Sequence, residues 1–247
     1  MRLLAINPNT TAEVTNRVVA VGRALAPPDV TILGATGRFG ARYISSRSAS
    51  AIAGHATLDA FAEHGEGVDG VLLACFGDPG LHALREIANC PVLGLAEASC
   101  LAAAEGGRRF SILTGGERWG PILQEFVSTL GLSASLASIR TVAPTGGEIA
   151  ANPAAAYDLL TETAISAARE DGAEAVILGG AGLAGIAAQI RDRVPVPLLC
   201  SVETGFKRAF AMLENPPVKP VSGDFALPAP VETIGLSPAL TARLERN

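Results

Sequence analysis

The segment Val68–Leu81, VDGVLLACFGDPGL, decides the fold. Val71-Leu72-Leu73-Ala74 is an unbroken apolar run of the length and composition of a strand buried on both faces. Cys75, Phe76 and Gly77 follow. A helix start comes next, with Asp78 as N-cap, Pro79 at the first helical position, and Leu81, Leu84 and Ile87 at helical spacing. This reading sets a thiol at the carboxyl end of a strand and beside a helix N-terminus. Unpaired N–H groups there favour the thiolate, the form that acts as base or nucleophile. A small buried hydrophobe is the plain alternative for Cys75.

On the N-terminal side, Leu3–Ile6 reads as a first strand and Asn7-Pro8-Asn9-Thr10-Thr11 as the loop after it. Thr10 or Thr11 caps a helix through about Ala26, with Val14, Val18, Val21 and Leu25 on one face. Val30–Leu33 is a second strand, Gly34–Arg47 a mobile loop with little periodicity, and Ser48 to about His64 a helix. Beyond the opening segment, Pro91–Leu95 is a strand and Glu97–Glu105 a helix ended by Gly106-Gly107.

A second cycle begins with the strand Arg109–Leu113, the loop Thr114-Gly115-Gly116 and a helix over Glu117–Leu130. Leu136–Val142 is a strand, Pro144–Asn152 a loop and Pro153–Glu170 a long helix. The strand Ala175–Leu178, the helix Leu183–Arg191, the strand Pro197–Cys200 and the helix Glu203–Leu213 complete it. The Pro-rich tail from Asn215 onward reads as irregular and laid over the surface or a neighbouring subunit.

The two cycles align. VDGVLLACFG (Val68–Gly77) matches AEAVILGGAG (Ala173–Gly182), CPVLGLAEAS (Cys90–Ser99) matches VPLLCSVETG (Val196–Gly205), and LLAINPN (Leu3–Asn9) matches FSILTGG (Phe110–Gly116). A nearly constant offset of about 105 residues implies two similar βαβ halves. The expected fold is therefore α/β: two open parallel-sheet, flavodoxin-like halves related by a pseudo-two-fold axis. Residues 1–95 with about 205–247 form the first half, and 96–204 the second. Open parallel sheets bind ligands beyond the carboxyl ends of their strands. The loops after Ile6, Ala74, Leu113 and Gly179 then line one cleft between the halves.

Bulk properties narrow the partner. The chain has 247 residues, 49% hydrophobic and 17% charged, with a net charge of −5. That balance offers no basic footprint for nucleic acid or an acidic membrane surface. The longest uncharged run, Ala175–Ile190, is glycine-interrupted and too short to span a bilayer. Met1-Arg2 runs straight into a strand, without the h-region of a signal peptide. Cys75, Cys90, Cys100 and Cys200 show neither zinc nor disulfide spacing, and His55, His64 and His82 lie at no metal spacing. The expectation is a soluble cytoplasmic protein with reduced thiols and a small-molecule substrate.

INPNT (Ile6–Thr10), ACFGDPGL (Ala74–Leu81), PVLGLAEAS (Pro91–Ser99), RFSILT (Arg109–Thr114) and EDGAEAVILGGAG (Glu170–Gly182) together resemble the aspartate/glutamate/hydantoin racemase superfamily. Within it the chain looks most like the hydantoin and allantoin racemases. The resemblance implies homo-oligomers, no metal or organic cofactor, and two cysteines facing opposite sides of a substrate α-carbon. One thiolate removes the proton there and the other thiol reprotonates the planar enolate. Cys75 matches the first cysteine. An enolate needs preorganised N–H donors in a dry cleft, and the loops Asn7–Thr10, Phe76–Gly77, Thr114–Gly116 and Ala181–Gly182 are the expected source. Asn9, Phe76, Gly77, Thr114, Gly180, Ala181 and Gly182 are the expected substrate contacts. For Asn9 and Thr114, turn and cap chemistry is the competing role.

One position departs from the family. Where the second cysteine stands in a Gly-Cys-Ala-Gly pattern, this chain reads Gly179-Gly180-Ala181-Gly182. Another group or water then serves the second face, with Glu203 and Cys200 as candidates from adjacent strand ends. A second explanation is one-sided chemistry, as in the related arylmalonate decarboxylases, which protonate an enolate with a single cysteine. A third is that the glycine is an engineered change that disables turnover to trap a ligand. The expected function is racemisation of a 5-substituted hydantoin, allantoin or similar cyclic ureide through Cys75. A single-cysteine lyase and a non-catalytic ligand-binding relative are the alternatives. Arg38, Arg42 and Arg47 read as a solvated loop rather than an anion guide, and Arg118 and Trp119 as candidates to border the pocket.

Overall fold

The computed structural model describes residues 1–245. In the first half, β1 (Arg2–Asn7), β2 (Thr31–Thr36), β3 (Gly70–Leu73) and β4 (Val92–Gly94) form a parallel sheet in the order β2-β1-β3-β4. The second half repeats it: β5 (Phe110–Gly115), β6 (Leu136–Val142), β7 (Ala175–Leu178) and β8 (Leu198–Cys200) run in the order β6-β5-β7-β8. Pairing is parallel throughout, with Leu3 opposite Gly70 and Ile6 opposite Leu73 in one sheet, and Phe110 opposite Ala175 and Leu113 opposite Leu178 in the other.

The unbroken apolar strands follow from a core on both faces of the sheet. Along β1, Leu3 and Ala5 belong to a core continuous with the second half, whereas Leu4 and Ile6 join a separate outer core. That outer core contains Phe61 of α2 (Arg47–His64), Leu84 of α3 (Leu81–Ile87) and Leu240. Two helices tie the halves together. The helix α4 (Leu95–Ala103) leaves β4 and packs on β7, and α9 (Ser201–Glu214) leaves β8 and packs on β3, on α4 and on α1 (Ala12–Leu25). The repeat thus exchanges one helix in each direction.

Several local expectations are corrected. The second strand extends to Thr36, so the loop shortens to residues 37–46, with Ile44 buried. Pro144–Asn152 is not all loop: α6 (Gly146–Ala151) is set by a capping box in which Thr145 Oγ1 accepts the Glu148 N–H at 3.2 Å and Glu148 Oε2 accepts the Thr145 N–H at 2.8 Å. The glycines at 146 and 147 concealed that signal. The long helix divides into a 3₁₀ turn (Pro153–Ala156) and α7 (Tyr157–Glu170). Leu183–Arg191 is only briefly helical, with 3₁₀ turns around α8 (Ala187–Ile190). The tail ends in α10 (Pro238–Glu245), which docks on α2 with Leu240 buried and the Arg243 guanidinium 4.5 Å from the Phe61 ring centre. Among the described residues no helix is long and apolar enough to cross a membrane.

Asp78 is the most consequential correction. It does not cap its own helix, which starts at Leu81 behind Gly80. Instead its buried carboxylate accepts the N–H groups of Ala96 at 2.9 Å and Glu97 at 2.8 Å, capping α4. The N-cap of α4 is Gly94, which has no side chain, so the cap comes from elsewhere in the chain. Asp78 holds φ +47° to reach it.

Candidate active site

A cavity lies between the carboxyl ends of the two sheets. The first half contributes Asn7, Asn9, Ala74, Cys75 and Phe76 to its wall, and the second half Thr114, Gly180, Ala181 and Gly182. Seven of the eight expected residues therefore meet. Gly77 is the exception: it lies behind the wall, under Trp119, whose Cζ3 is 2.9 Å from where a Cβ would stand. Trp119 opens α5 (Trp119–Thr129) and itself faces the cavity. Phe76 reaches in the opposite direction, its ring 2.6 Å from the Cβ position of Gly179. Each half thus seats one aromatic ring on a glycine of the other.

Val14, Tyr43 and Ile44 also line the cavity and were not anticipated. Tyr43 and Ile44 come from the loop at 37–46, which has no periodicity to announce them. An Arg47–Glu125 ion pair fastens the end of that loop to α5.

Polar groups in the wall divide into engaged and free. Asn7 Nδ2 donates to Asn9 Oδ1, to the Thr11 carbonyl and to Thr15 Oγ1 at 2.9–3.2 Å. Asn9 Oδ1 also accepts the Thr11 N–H at 2.9 Å. Among the described residues Asn9 Nδ2 and Thr114 Oγ1 have no partner, so both remain available to a ligand. Backbone N–H groups of Asn9, Thr10 and Gly116 are engaged by Asn7 Oδ1, Ala41 and Val142, which removes them as expected donors. The N–H groups of Phe76, Gly77, Ala181 and Gly182 have no partner among the described residues. Of these, Phe76, Ala181 and Gly182 line the cavity, one from the first half and two from the second, as donors to an enolate oxygen must.

The electrostatics at Cys75 reverse the expectation. Burial pushes its thiol well above the usual range, and the nearby Asp78 carboxylate adds to the rise. The reason is the helix start: no N-terminus lies at Cys75, and the one nearby, that of α4, is already satisfied by Asp78. Burial therefore favours the thiol of Cys75 over its thiolate. Burial also pushes Asp78 up to about 7, against the pull of its two N–H donors and Arg85.

The other candidates lie elsewhere. Glu203 pairs with Arg191 at 3.2 Å, and Glu97 with Arg85 at 2.6 Å, the same structural use in both halves. Cys200 is buried outside the cavity wall, as is Cys100. Arg38 binds Asp59 and Glu63. His55 packs on Phe39 and His82 on Phe225.

At Gly180 the backbone has φ +137°, ψ 134°, and its N–H donates to Ser201 Oγ at 3.2 Å. No L-residue adopts that conformation without strain. A Cβ there would stand 3.1 Å from Leu183 Cδ1 and 3.9 Å from Thr114 Oγ1.

Comparison with known proteins agrees with this fold. The sequence profile described as Asp/Glu/hydantoin racemase matches residues 3–209. A hydantoin racemase from a Pseudomonas species is 32% identical over 215 residues, 87% of this chain and 86% of that protein. The crystal structure of an allantoin racemase from Pseudomonas fluorescens superposes with a TM-score of 0.91 at 32% identity, covering 95% of this chain and all of that one. An allantoin racemase from Klebsiella pneumoniae gives 0.91 at 32% identity, covering 97% and 98%.

Proposed function

From the premise that this chain belongs to the Asp/Glu/hydantoin racemase family, we propose that it racemises a neutral cyclic ureide, a 5-substituted hydantoin, allantoin or a similar ring, without a cofactor and with Cys75 as acid–base group. One observation carries the choice of substrate class: among the described residues no charged side chain lines the cavity that contains Cys75. A substrate amino acid or a malonate brings carboxylate charge that would have to be desolvated there without a cation. A neutral ureide ring brings N–H and C=O groups, which Asn9 Nδ2, Thr114 Oγ1 and the free backbone N–H groups complement.

The chemistry follows from burial. A hydrogen on carbon beside a carbonyl is weakly acidic, so its base must be strong. A desolvated thiolate is a stronger base than a solvated one, because its conjugate thiol has the higher pKa. When Cys75 takes the α-proton, the bonding pair moves into the ring as an enolate. Its oxygen draws on the Phe76 N–H or on the N–H pair of Ala181 and Gly182. Aromatic rings over Gly77 and Gly179 exclude water, which strengthens these contacts.

The test is polarimetric. Enantiopure 5-benzylhydantoin and allantoin, set against L-aspartate and L-glutamate, are incubated with the enzyme and with buffer alone, since hydantoins racemise unaided. Loss of rotation above the blank with the ureides and none with the amino acids supports the reading. The reverse pattern, or blank rates throughout, defeats it.

A further inference from the structure

Cys75 serves one face of the cavity, and its counterpart Gly180 offers no proton from the other. We propose that the Tyr43 hydroxyl is the second acid–base group, acting from the side of the second half. This rests on the racemase reading given above.

The geometry starts at Gly146, the first residue of α6. A Cβ on Gly146 would fall 1.7 Å from Tyr43 Oη, so the phenol oxygen occupies the space that glycine leaves open. The Gly146 carbonyl oxygen in turn lies 2.8 Å from the Cβ position of Gly182. Tyr43 therefore starts in the first half but seats its hydroxyl on second-half backbone, beside the segment that lacks the cysteine. Cys75, at the end of β3, lines the same cavity from the first half.

Chemistry leaves no rival within that wall. Its other proton-bearing side chains are the amides of Asn7 and Asn9, the alcohol of Thr114 and the indole of Trp119. None of these is as acidic as a phenol, which makes Tyr43 the strongest acid in the wall after the Cys75 thiol. Glu203 and Cys200, the candidates from neighbouring strand ends, are respectively paired with Arg191 and buried outside the wall. Tyr43 and Cys75 also feel each other: burial raises the phenol most, and charge on Cys75 raises it further, while the Gly146 N–H favours the phenolate. Once the pair has lost one proton, the charge left on it gives one base and one acid, as inversion requires.

The step balances. The Cys75 thiolate takes the α-proton and becomes a thiol, and the C–H pair enters the enolate. Tyr43 Oη–H then delivers its proton to the opposite face of that carbon and becomes a phenolate, held by the Gly146 N–H. The other enantiomer runs the same transfers in reverse, which restores the starting protonation.

The experiment follows α-deuterium incorporation and configuration separately for each enantiomer of 5-benzylhydantoin in heavy water. It compares wild type, Tyr43→Phe and Cys75→Ser, each with its melting temperature. The wild type is expected to exchange and invert both enantiomers. Tyr43→Phe is expected to lose inversion by about 100-fold or more, the usual contribution of a positioned acid or base, and still to exchange one enantiomer with its configuration kept. Cys75→Ser is expected to give the mirror pattern, exchanging only the other enantiomer. Inversion by Tyr43→Phe within about threefold of wild type would overturn the role, far short of the loss expected for an acid or base. An equal fall in exchange of both enantiomers by a well-folded Tyr43→Phe would overturn it too. If wild type exchanged neither enantiomer, the racemase reading itself would fall and the role of Tyr43 with it.

Discussion

Replacing Gly180 by alanine measures the backbone of the second half's site without altering its chemistry. At an ordinary φ, Gly→Ala stabilises a protein by about 0.4–1 kcal/mol, because the unfolded chain loses freedom. At φ +137°, ψ 134° the added Cβ instead meets its own backbone, a strain of about 1–3 kcal/mol. Crowding adds little, since the nearest atom is the movable Cδ1 of Leu183 at 3.1 Å. Mid-range strain of about 2 kcal/mol less mid-range gain of about 0.7 leaves an expected net loss of about 1 kcal/mol, and a chain of this size loses about 2–4 °C of melting temperature per kcal/mol. Urea unfolding at a fixed slope, with calorimetry alongside, reads it. Gly180→Cys should carry the same strain, while its thiol, beside Thr114 Oγ1, raises inversion and makes Tyr43→Phe harmless in the same molecule. A Gly180→Ala protein as stable as wild type, or more so, would refute the left-handed backbone and the view that this loop is shaped around a glycine.

Gly146→Ala places a methyl where Tyr43 Oη sits, so it should reproduce the loss of inversion seen with Tyr43→Phe while leaving exchange at the Cys75 face, read by the same deuterium assay. The raised Cys75 thiol should make exchange climb with pH beyond the ordinary thiol range, and iodoacetamide should label Cys75 far more slowly at pH 7 than an exposed thiol, as followed by mass spectrometry. Asp78, pushed by burial to about 7 against 3.8 unfolded, binds its proton more tightly in the native state. The stability it contributes relative to Asp78→Asn should therefore fall as pH rises from about 4 to about 7, tested by urea titration at each pH. Trp119 is the chain's single tryptophan and faces the cavity, so a ureide ligand should change its fluorescence saturably, whereas aspartate should not.

Periodicity and self-similarity were enough to read the architecture from the chain. The apolar runs at Leu3–Ile6, Val71–Ala74, Phe110–Leu113 and Ala175–Leu178 are the central strands, and their internal match announced two sheets of the same order. The same alignment brought Cys75 together with Asn9, Phe76, Thr114 and Gly180–Gly182, because loops after equivalent strands must face each other. Contacts between distant segments were not legible. Asp78 looks like a local N-cap, yet its carboxylate serves α4, whose own cap position is a glycine. Tyr43 sits in a stretch without pattern, and only Gly146, far along the chain, gives its hydroxyl a place. The thiol at Cys75 was misjudged for the same reason: its environment depends on what buries it, which local sequence does not state.

The central claim is that Cys75 moves the α-proton of a neutral cyclic ureide in a cleft between two halves. Its most direct test is NMR of enantiopure allantoin and 5-substituted hydantoins in heavy water, with chiral chromatography of the same samples and an enzyme-free blank. The account predicts that wild type replaces the α-proton with deuterium and loses optical purity in step, and that Cys75→Ser, folded to the same melting temperature, no longer inverts. Racemisation by Cys75→Ser at the wild-type rate would contradict it, as would a wild-type protein indistinguishable from the blank across the whole panel.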